Sequence, residues 1–128
     1  MVPQAEIFGM LGSTKDTGIA KMKLPPKATD GKACSFVGKD NSATVIMFTF
    51  ATPAAAREYL KTVRDAFSAQ ALRTTDEKFD GEDGFSFCSG MLAVKKNLWF
   101  RVNVNSTAKK VLIPDFTRRL MLDALHSN

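Results

Sequence analysis

Hydrophobic and polar residues alternate along most of the stretch from Gly84 to Asn105. This period of two residues is typical of strands that bury one face and expose the other. Such runs follow one another here, and Lys95–Asn97 forms a polar turn before the last of them. The alternating apolar positions are Phe85, Phe87, Leu92, Val94, Leu98, Phe100, Val102 and Val104. The pattern predicts an antiparallel meander around which the rest of the chain is arranged.

Two further strands are predicted earlier in the chain. Ala33–Val37 and Ala43–Phe50 are both rich in apolar residues, and the turn-forming segment Gly38–Ser42 joins them. Ala43–Phe50 is apolar on both faces, which indicates a central strand, or one with each face partly covered. Ile19–Leu24 alternates with lysines at its polar positions, and we interpret it either as a short edge strand or as a flexible loop.

Three segments have helical features. Val2–Leu11 has a proline near its start and is followed by Gly12, a common helix stop. The second helix is predicted from Thr52, a good N-cap, and Pro53, which suits the first turn. Its apolar residues recur at steps of three and four, which predicts one buried stripe: Ala56, Tyr59, Leu60, Val63 and Phe67. The third helix is predicted from Pro114, with Phe116, Leu120, Met121 and Ala124 facing inward.

The remaining segment, Gln70–Gly84, is locally acidic, and we predict that it is a connector. The predicted order is then helix, strand, strand, helix, strand, strand, strand, helix. Strands joined by short turns pair antiparallel, and helices segregated from such a sheet define the α+β class. We therefore expect a single domain over residues 1–128, with an antiparallel sheet of about five strands and two or three helices packed on one face.

The net charge of +5 permits an anionic partner. Nucleic-acid binders usually concentrate basic residues on one face, whereas the longest basic runs here are pairs. The composition therefore argues against nucleic acid as the partner. No apolar run reaches the roughly 18 residues that cross a bilayer, and the chain starts without a signal-peptide pattern.

Cys34 and Cys88 are the two cysteines, and each lies in a strand-like run. A disulfide between them would imply an oxidising compartment, whereas two buried thiols would suit a cytosolic core. The strand pattern weakens the disulfide hypothesis, because Cys88 falls on the polar face and Cys34 shares a face with Phe36. A β-bulge at Ser89–Gly90 would re-aim the side chains and restore it.

Two groups of residues are candidates for binding. Arg57, Lys61 and Arg64 form a basic row on one side of the predicted second helix, where the alternative is a solvated helix face. Trp99 and Arg101 share the polar face of the last strand. An aromatic residue with an arginine is the composition of binding hot spots, although packing beneath a covering helix is the commoner explanation for such a tryptophan.

The sequence offers little for catalysis. Its one histidine, His126, lies near the C-terminus, where an imidazole seldom has the support that a catalytic or metal site needs. Ser106–Lys109 matches Ser-x-x-Lys but stands without the companion motifs of that enzyme class. The acidic segment Asp76–Asp83 lacks the spacing of a calcium loop, and no Cys-x-x-Cys or phosphate loop is present. We therefore predict no catalytic residue, metal or cofactor.

Several segments, taken in order, resemble a known class of proteins. They are Val2–Glu6 with Leu11–Gly12, Ala33–Phe36, Thr52–Leu60 and Ser89–Asn97. Together they are similar to small cell-envelope lipoprotein domains of bacteria, over most of the chain. The resemblance implies an exported, non-catalytic α+β module of unknown function. A lipid-attachment cysteine is missing from the pattern, and no functional residue is carried over.

These observations support three hypotheses for function. The first is a non-enzymatic binding or protein-interaction domain, bacterial and extracytoplasmic, whose partner is another protein or a second copy of itself. The second is a small-molecule pocket protein or small enzyme with a cavity between sheet and helices. The third is a cytosolic anion or nucleic-acid binder, which salt-dependent retention on heparin would reveal. Localisation in the periplasm or envelope is favoured over the cytoplasm.

Overall fold

The structure of the protein is a computed structural model that describes residues 14–20, 24–38, 41–87, 90–106 and 113–126. The strands are β1 (Thr14–Ala20), β2 (Ala28–Gly38), β3 (Asn41–Phe50), β4 (Thr75–Phe79), β5 (Glu82–Phe87), β6 (Gly90–Lys95) and β7 (Leu98–Ser106). The helices are α1 (Pro53–Ala69) and α2 (Ile113–His126).

All described strands belong to one antiparallel sheet in the order β1-β2-β3-β7-β6-β5-β4. Six of them, β2 to β7, form its body, and β1 extends it beside β2. The meander β5-β6-β7 and the hairpin β2-β3 confirm the predicted antiparallel pairing. The central position predicted for Ala43–Phe50 is also confirmed, because β3 joins the hairpin to the meander through β7.

The predicted order of elements is wrong in one respect. The segment Gln70–Gly84 is not a connector, because it contains β4 and the start of β5. A tight turn at Asp80–Gly81 joins these strands, and both of its residues have positive φ angles, 54° and 87°. From β2 onward the order is strand, strand, helix, four strands, helix. β4 was missed because its charged residues hide the alternation that marks a strand. Charges at a sheet edge discourage pairing with other chains.

Two other predicted elements compare less directly. The predicted helix Val2–Leu11 lies outside the described residues. The predicted edge strand Ile19–Leu24 overlaps β1 only at its first two residues, and β1 begins earlier, at Thr14. β1 does form an outer strand of the sheet, with an irregular register between Asp16 and Ile19.

The two described helices pack on opposite faces of the sheet, whereas one face was predicted. On the α1 face, the helix covers Phe48, Phe50, Phe85, Leu92, Val94 and Trp99. On the α2 face, the other helix packs with Val45, Met47, Ala93, Phe100 and Val102. β6 explains the difference, since its residues from Gly90 to Val94 are all buried and it therefore needs cover on both sides. The domain consequently has three layers.

α1 forms as its sequence predicts. The hydroxyl of Thr52 accepts a hydrogen bond from the Ala55 backbone N–H at 3.1 Å, and Pro53 occupies the start of the helix. Ala56 and Leu60 are buried, while three further members of the predicted stripe pack partly buried beside them. α1 thereby reaches from the end of β3 to β5.

α2 buries Leu120, Met121 and Ala124, as predicted. Polar contacts tie its second half to the sheet and to the β4–β5 hairpin. Lys95 Nζ donates to the Leu125 carbonyl at 2.7 Å, and His126 Nε2 lies 2.8 Å from an Asp80 carboxylate oxygen. Arg118 pairs with Glu77 and lies over the Phe79 ring, 5.1 Å from its centre. His126 therefore has a simple structural contact at the helix end. The Phe116 side chain lies outside the described residues.

No disulfide is seen in the described part of the chain, which excludes the Cys34 side chain and all of Cys88. Backbone pairing still gives the distance between β2, which contains Cys34, and β5, which ends one residue before Cys88. A row of paired residues crosses from β2 to β5 through Ser35, Thr44, Asn103, Gly90 and Phe87. At about 4.8 Å per strand this row spans roughly 19 Å, whereas a disulfide joins Cα atoms about 4.4–6.8 Å apart. Ser35 and Phe87, the described neighbours of the two cysteines, are therefore far apart, and the predicted disulfide itself lies outside the described residues.

Candidate binding surface

Trp99 lies on the α1 face of β7, where it is only 2% exposed. Its ring stacks on Phe48 with centres 5.2 Å apart, and Tyr59 from α1 meets it edge-on at 5.1 Å. The position explains the tryptophan by packing beneath a helix, which was the alternative to a binding role. Packing beneath α1 therefore accounts for Trp99, which lies under the surface described below.

Arg101 follows on the same face but is only half-buried, beyond the part of the sheet that α1 covers fully. Its guanidinium carbon lies 5.3 Å from the centre of the Phe87 ring and 5.9 Å from that of Phe67. Its Nε donates a hydrogen bond to Asn103 Oδ1 at 2.8 Å. Among the described residues no carboxylate forms an ion pair with Arg101. The side chain is thus a partly dehydrated cation that aromatic rings hold in place.

The electrostatics agree with that description. Burial lowers the pKa of Arg101, and its interaction with Tyr59 partly opposes the change. Burial likewise raises the pKa of the Tyr59 hydroxyl, and the positive charge of Arg101 partly opposes that rise. Both directions follow from the half-burial of the two side chains, which leaves their charged forms less hydrated.

Polar residues surround Arg101 where the cover by α1 ends. Asn103 pairs with Thr44 on β3, and Thr44 pairs with Ser35 on β2, so the three side chains share the α1 face. The Ser35 and Thr44 hydroxyl oxygens are 3.4 Å apart. We name this region the Arg101 surface and define it by Thr44, Tyr59, Phe67, Phe87, Arg101 and Asn103. It joins one cation to half-buried rings and neutral polar groups.

The basic row of α1 lines a different feature. Arg57, Lys61 and Arg64 lie along an open cleft of about 460 Å³ between α1 and the β4–β5 hairpin. Arg64 pairs with Asp76 across it at 2.9 Å and lies 5.1 Å from the centre of the Phe85 ring. Arg57 and Lys61 are exposed and form no ion pair with described residues. The rest of the lining is Leu60, Glu77, Lys78, Asp83 and Gly84.

The structure therefore divides the five predicted binding residues between two places. A row of ring contacts, Phe85 to Phe67 at 5.9 Å and Phe67 to Phe87 at 5.0 Å, separates Arg64 from Arg101. Sequence reasoning missed Phe67 and Phe87 as surface residues because it assigned both to buried stripes. It also missed Asn103, although the two-residue spacing from Arg101 placed both side chains on one face.

The described ranges contain no group of three or more His, Cys, Asp or Glu residues that could hold a metal ion. No helix within them is long and apolar enough to cross a membrane.

Taken together, the fold and this surface define an α+β domain with one antiparallel sheet, a helix on each face and a half-buried arginine beside α1. No family model matches the chain, and no curated protein or solved structure is significantly similar to it. The resemblance to envelope lipoprotein domains therefore stays a prediction from the sequence.

Proposed function

We propose that this protein is a non-enzymatic binding domain that engages a protein partner through the Arg101 surface. The observation that carries the proposal is the half-buried guanidinium of Arg101, which has no carboxylate partner among the described residues. A dehydrated charge without a counter-ion is unfavourable for the free domain. An anionic group on a partner would offset that cost. Such a partner would therefore bind more tightly than its contact area with the Arg101 surface alone would give.

The composition of the Arg101 surface also supports a binding role. Arginine and aromatic residues dominate the energetics of protein interfaces, because they combine large apolar area with directional hydrogen bonds. Phe67 and Phe87 are half-buried and lie against Arg101, and Tyr59 is half-buried and electrostatically coupled to it. A different protein suits this surface better than a second copy, since two copies that each carry a net charge of +5 repel one another. Export to a bacterial envelope enters the proposal from the sequence resemblance alone.

A fragment screen followed by nuclear magnetic resonance would test where the domain binds. Chemically diverse fragments would be added to ¹⁵N-labelled full-length protein, and shifted backbone amides would be mapped on the sheet. We expect the shifts to concentrate at residues 101–103 and at the α1 positions near Tyr59 and Phe67. A map with no shifts there would refute the proposal. Recovering bound fragments chemically unchanged supports recognition without turnover, whereas conversion into product would contradict it.

One observation favours a second function, an anion-binding cleft along α1. Arg64 Nε is buried without a hydrogen-bond partner among the described residues, and the exposed Arg57 and Lys61 stand beside it. An anion in the cleft would use these groups, although Asp76 and Asp83 on the opposite wall oppose it. In the same screen, this function predicts that shifts concentrate at residues 57–64 and 76–84.

A further inference from the structure

We propose that the Arg101 surface recognises a carboxylate monoanion attached to an apolar body. The inference rests on the proposed function and specifies the chemistry of the partner. Hydrogen-bond geometry, local charge and the neighbouring rings each support one part of it.

The hydrogen bonds of Arg101 leave the outer edge of its guanidinium free for a ligand. Nε donates to Asn103 Oδ1 at 2.8 Å, which fixes one edge of the group. The two terminal nitrogens form no hydrogen bond with described residues. Their N–H groups project in parallel and match the two oxygens of one carboxylate, a pairing that is stronger and more directional than a neutral hydrogen bond.

The local charge selects a monoanion. The described groups in contact with Arg101, or coupled to it, are Asn103, Phe67, Phe87 and Tyr59, and none of them is a second cation. One carboxylate would balance one guanidinium. A phosphate carries up to two negative charges at neutral pH and would keep an excess charge in poorly hydrated surroundings, which is costly.

The rings select an apolar body behind the carboxylate. Phe67 and Phe87 meet at 66° with centres 5.0 Å apart, and both are half-buried beside the guanidinium. A hydrocarbon or aryl group joined to the carboxylate would cover their remaining exposed area and gain from its burial. Because the proposed partner is a protein, we assign this group to the apolar C-terminus of that protein, and a free aryl or alkyl acid is the other outcome of the test.

Titrations with matched probes would test the inference on the full chain. The probes are 3-phenylpropanoate, its neutral amide and 2-phenylethyl phosphate, and amide shifts at residues 101–103 report binding. We expect the carboxylate to bind about tenfold or more tightly than the amide, since hydrogen bonds to charged groups contribute about 1.5–3 kcal/mol. A short peptide that ends in phenylalanine, with a free or an amidated C-terminus, distinguishes the two sources. Tighter binding of the free-acid peptide than of phenylpropanoate supports a protein terminus, whereas the reverse assigns a small acid and overturns the protein partner.

Two variants and a control decide whether Arg101 itself is responsible. Arg101→Met should abolish the preference for carboxylate over amide, and Arg101→Lys should reduce it, because lysine keeps the charge but loses the two-pronged geometry. Arg73→Met removes an exposed arginine beyond the C-terminal end of α1, outside both candidate sites, and should leave the preference unchanged. If Arg101→Met does not fold, Arg101→Lys provides the test.

The possible failures are distinguishable. Equal affinity for acid and amide, or tighter binding of the phosphate, would overturn the carboxylate inference while the binding surface stands. A preference that survives in both Arg101 variants would do the same. If neither these probes nor the fragments shift amides at the Arg101 surface, the proposed function fails with it.

Discussion

Arg101 and Tyr59 illustrate how two residues far apart in the chain share one environment. Each is half-buried, and each shifts the titration of the other. The alternation of β7 placed Arg101 on its face correctly, because side-chain direction in a strand depends only on the local period. It could not show that α1 would lay Tyr59 and Phe67 beside it, since the approach of a helix depends on the whole sheet. Sequence therefore identified the arginine but not its surroundings.

Tyr59 is the chain's one tyrosine, so its ionisation can be measured without ambiguity. We expect absorbance at 295 nm to give a pKa above about 10, the usual value for tyrosine, in the folded protein. Arg101→Met should raise that pKa further, because it removes the positive charge that lowers it. A midpoint unchanged by Arg101→Met would contradict the described proximity, and titration in urea gives the unfolded reference.

The same shift has a consequence for stability. A raised pKa means that the folded state holds the Tyr59 proton more tightly than the unfolded state does. The resulting contribution to the free energy of unfolding is complete below about pH 10 and is lost as the pH rises through the folded value.

At the scale of elements, regular patterns were predictable and relations between elements were not. α1 and the meander follow from periods of 3.6 and two residues, which depend on nearby positions alone. β4 escaped prediction because its charged residues obscure the alternation of an edge strand. The sequence also could not predict which face of the sheet each helix covers. The apolar stripe of a helix requires an apolar surface to pack on, and both faces of this sheet provide one.

Gly84 shows how closely the β4–β5 hairpin packs. A Cβ atom at this position would lie 2.2 Å from the Leu92 carbonyl oxygen and 2.7 Å from the Phe79 ring. We expect Gly84→Ala to lower the free energy of unfolding by about 1–3 kcal/mol, the usual cost of overpacking, as measured by urea denaturation.

A matched control is available in the same hairpin. Gly81 has open space around its Cα but a φ of 87°, so Gly81→Asn tests backbone conformation without a clash. Asparagine tolerates positive φ, and we expect this variant to lose less stability than Gly84→Ala. Equal stability of Gly84→Ala and the parent protein would show that β5 and β6 are further apart than described.

At the scale of the whole molecule, one sheet supports two helical layers. The α1 face carries Trp99, the chain's single tryptophan, and the α2 face carries the cluster that includes Leu120. Because β6 and β7 contribute side chains to both clusters, neither layer can lose its packing without weakening the other. The domain should therefore unfold as one cooperative unit.

Leu120→Ala would test this coupling. Leu120 is fully buried, so we expect the substitution to lower the free energy of unfolding by about 2–5 kcal/mol. The midpoints of unfolding followed by Trp99 fluorescence and by far-ultraviolet circular dichroism should move to lower urea concentration together, although the tryptophan lies on the other face. Leu72→Ala, at a residue that is 39% exposed, is the control and should change stability by less than about 0.5 kcal/mol. A tryptophan transition that stays in place while the dichroism shifts would show that the layers unfold separately.

The double-sided burial of β6 also bears on strand alignment. A shift of β6 by one residue would exchange the faces on which Leu92 and Ala93 lie. Both faces would still carry apolar side chains, so burial of polar groups does little to disfavour the shifted register. Alignment then depends on the loop that follows β6, where Lys96 adopts a φ of 54°. Asn97 anchors that loop by receiving a hydrogen bond from the Phe50 N–H at 2.8 Å and giving one to the Phe50 oxygen at 3.0 Å. A single asparagine outside both helical layers thus helps decide which layer each side chain of the central strands enters.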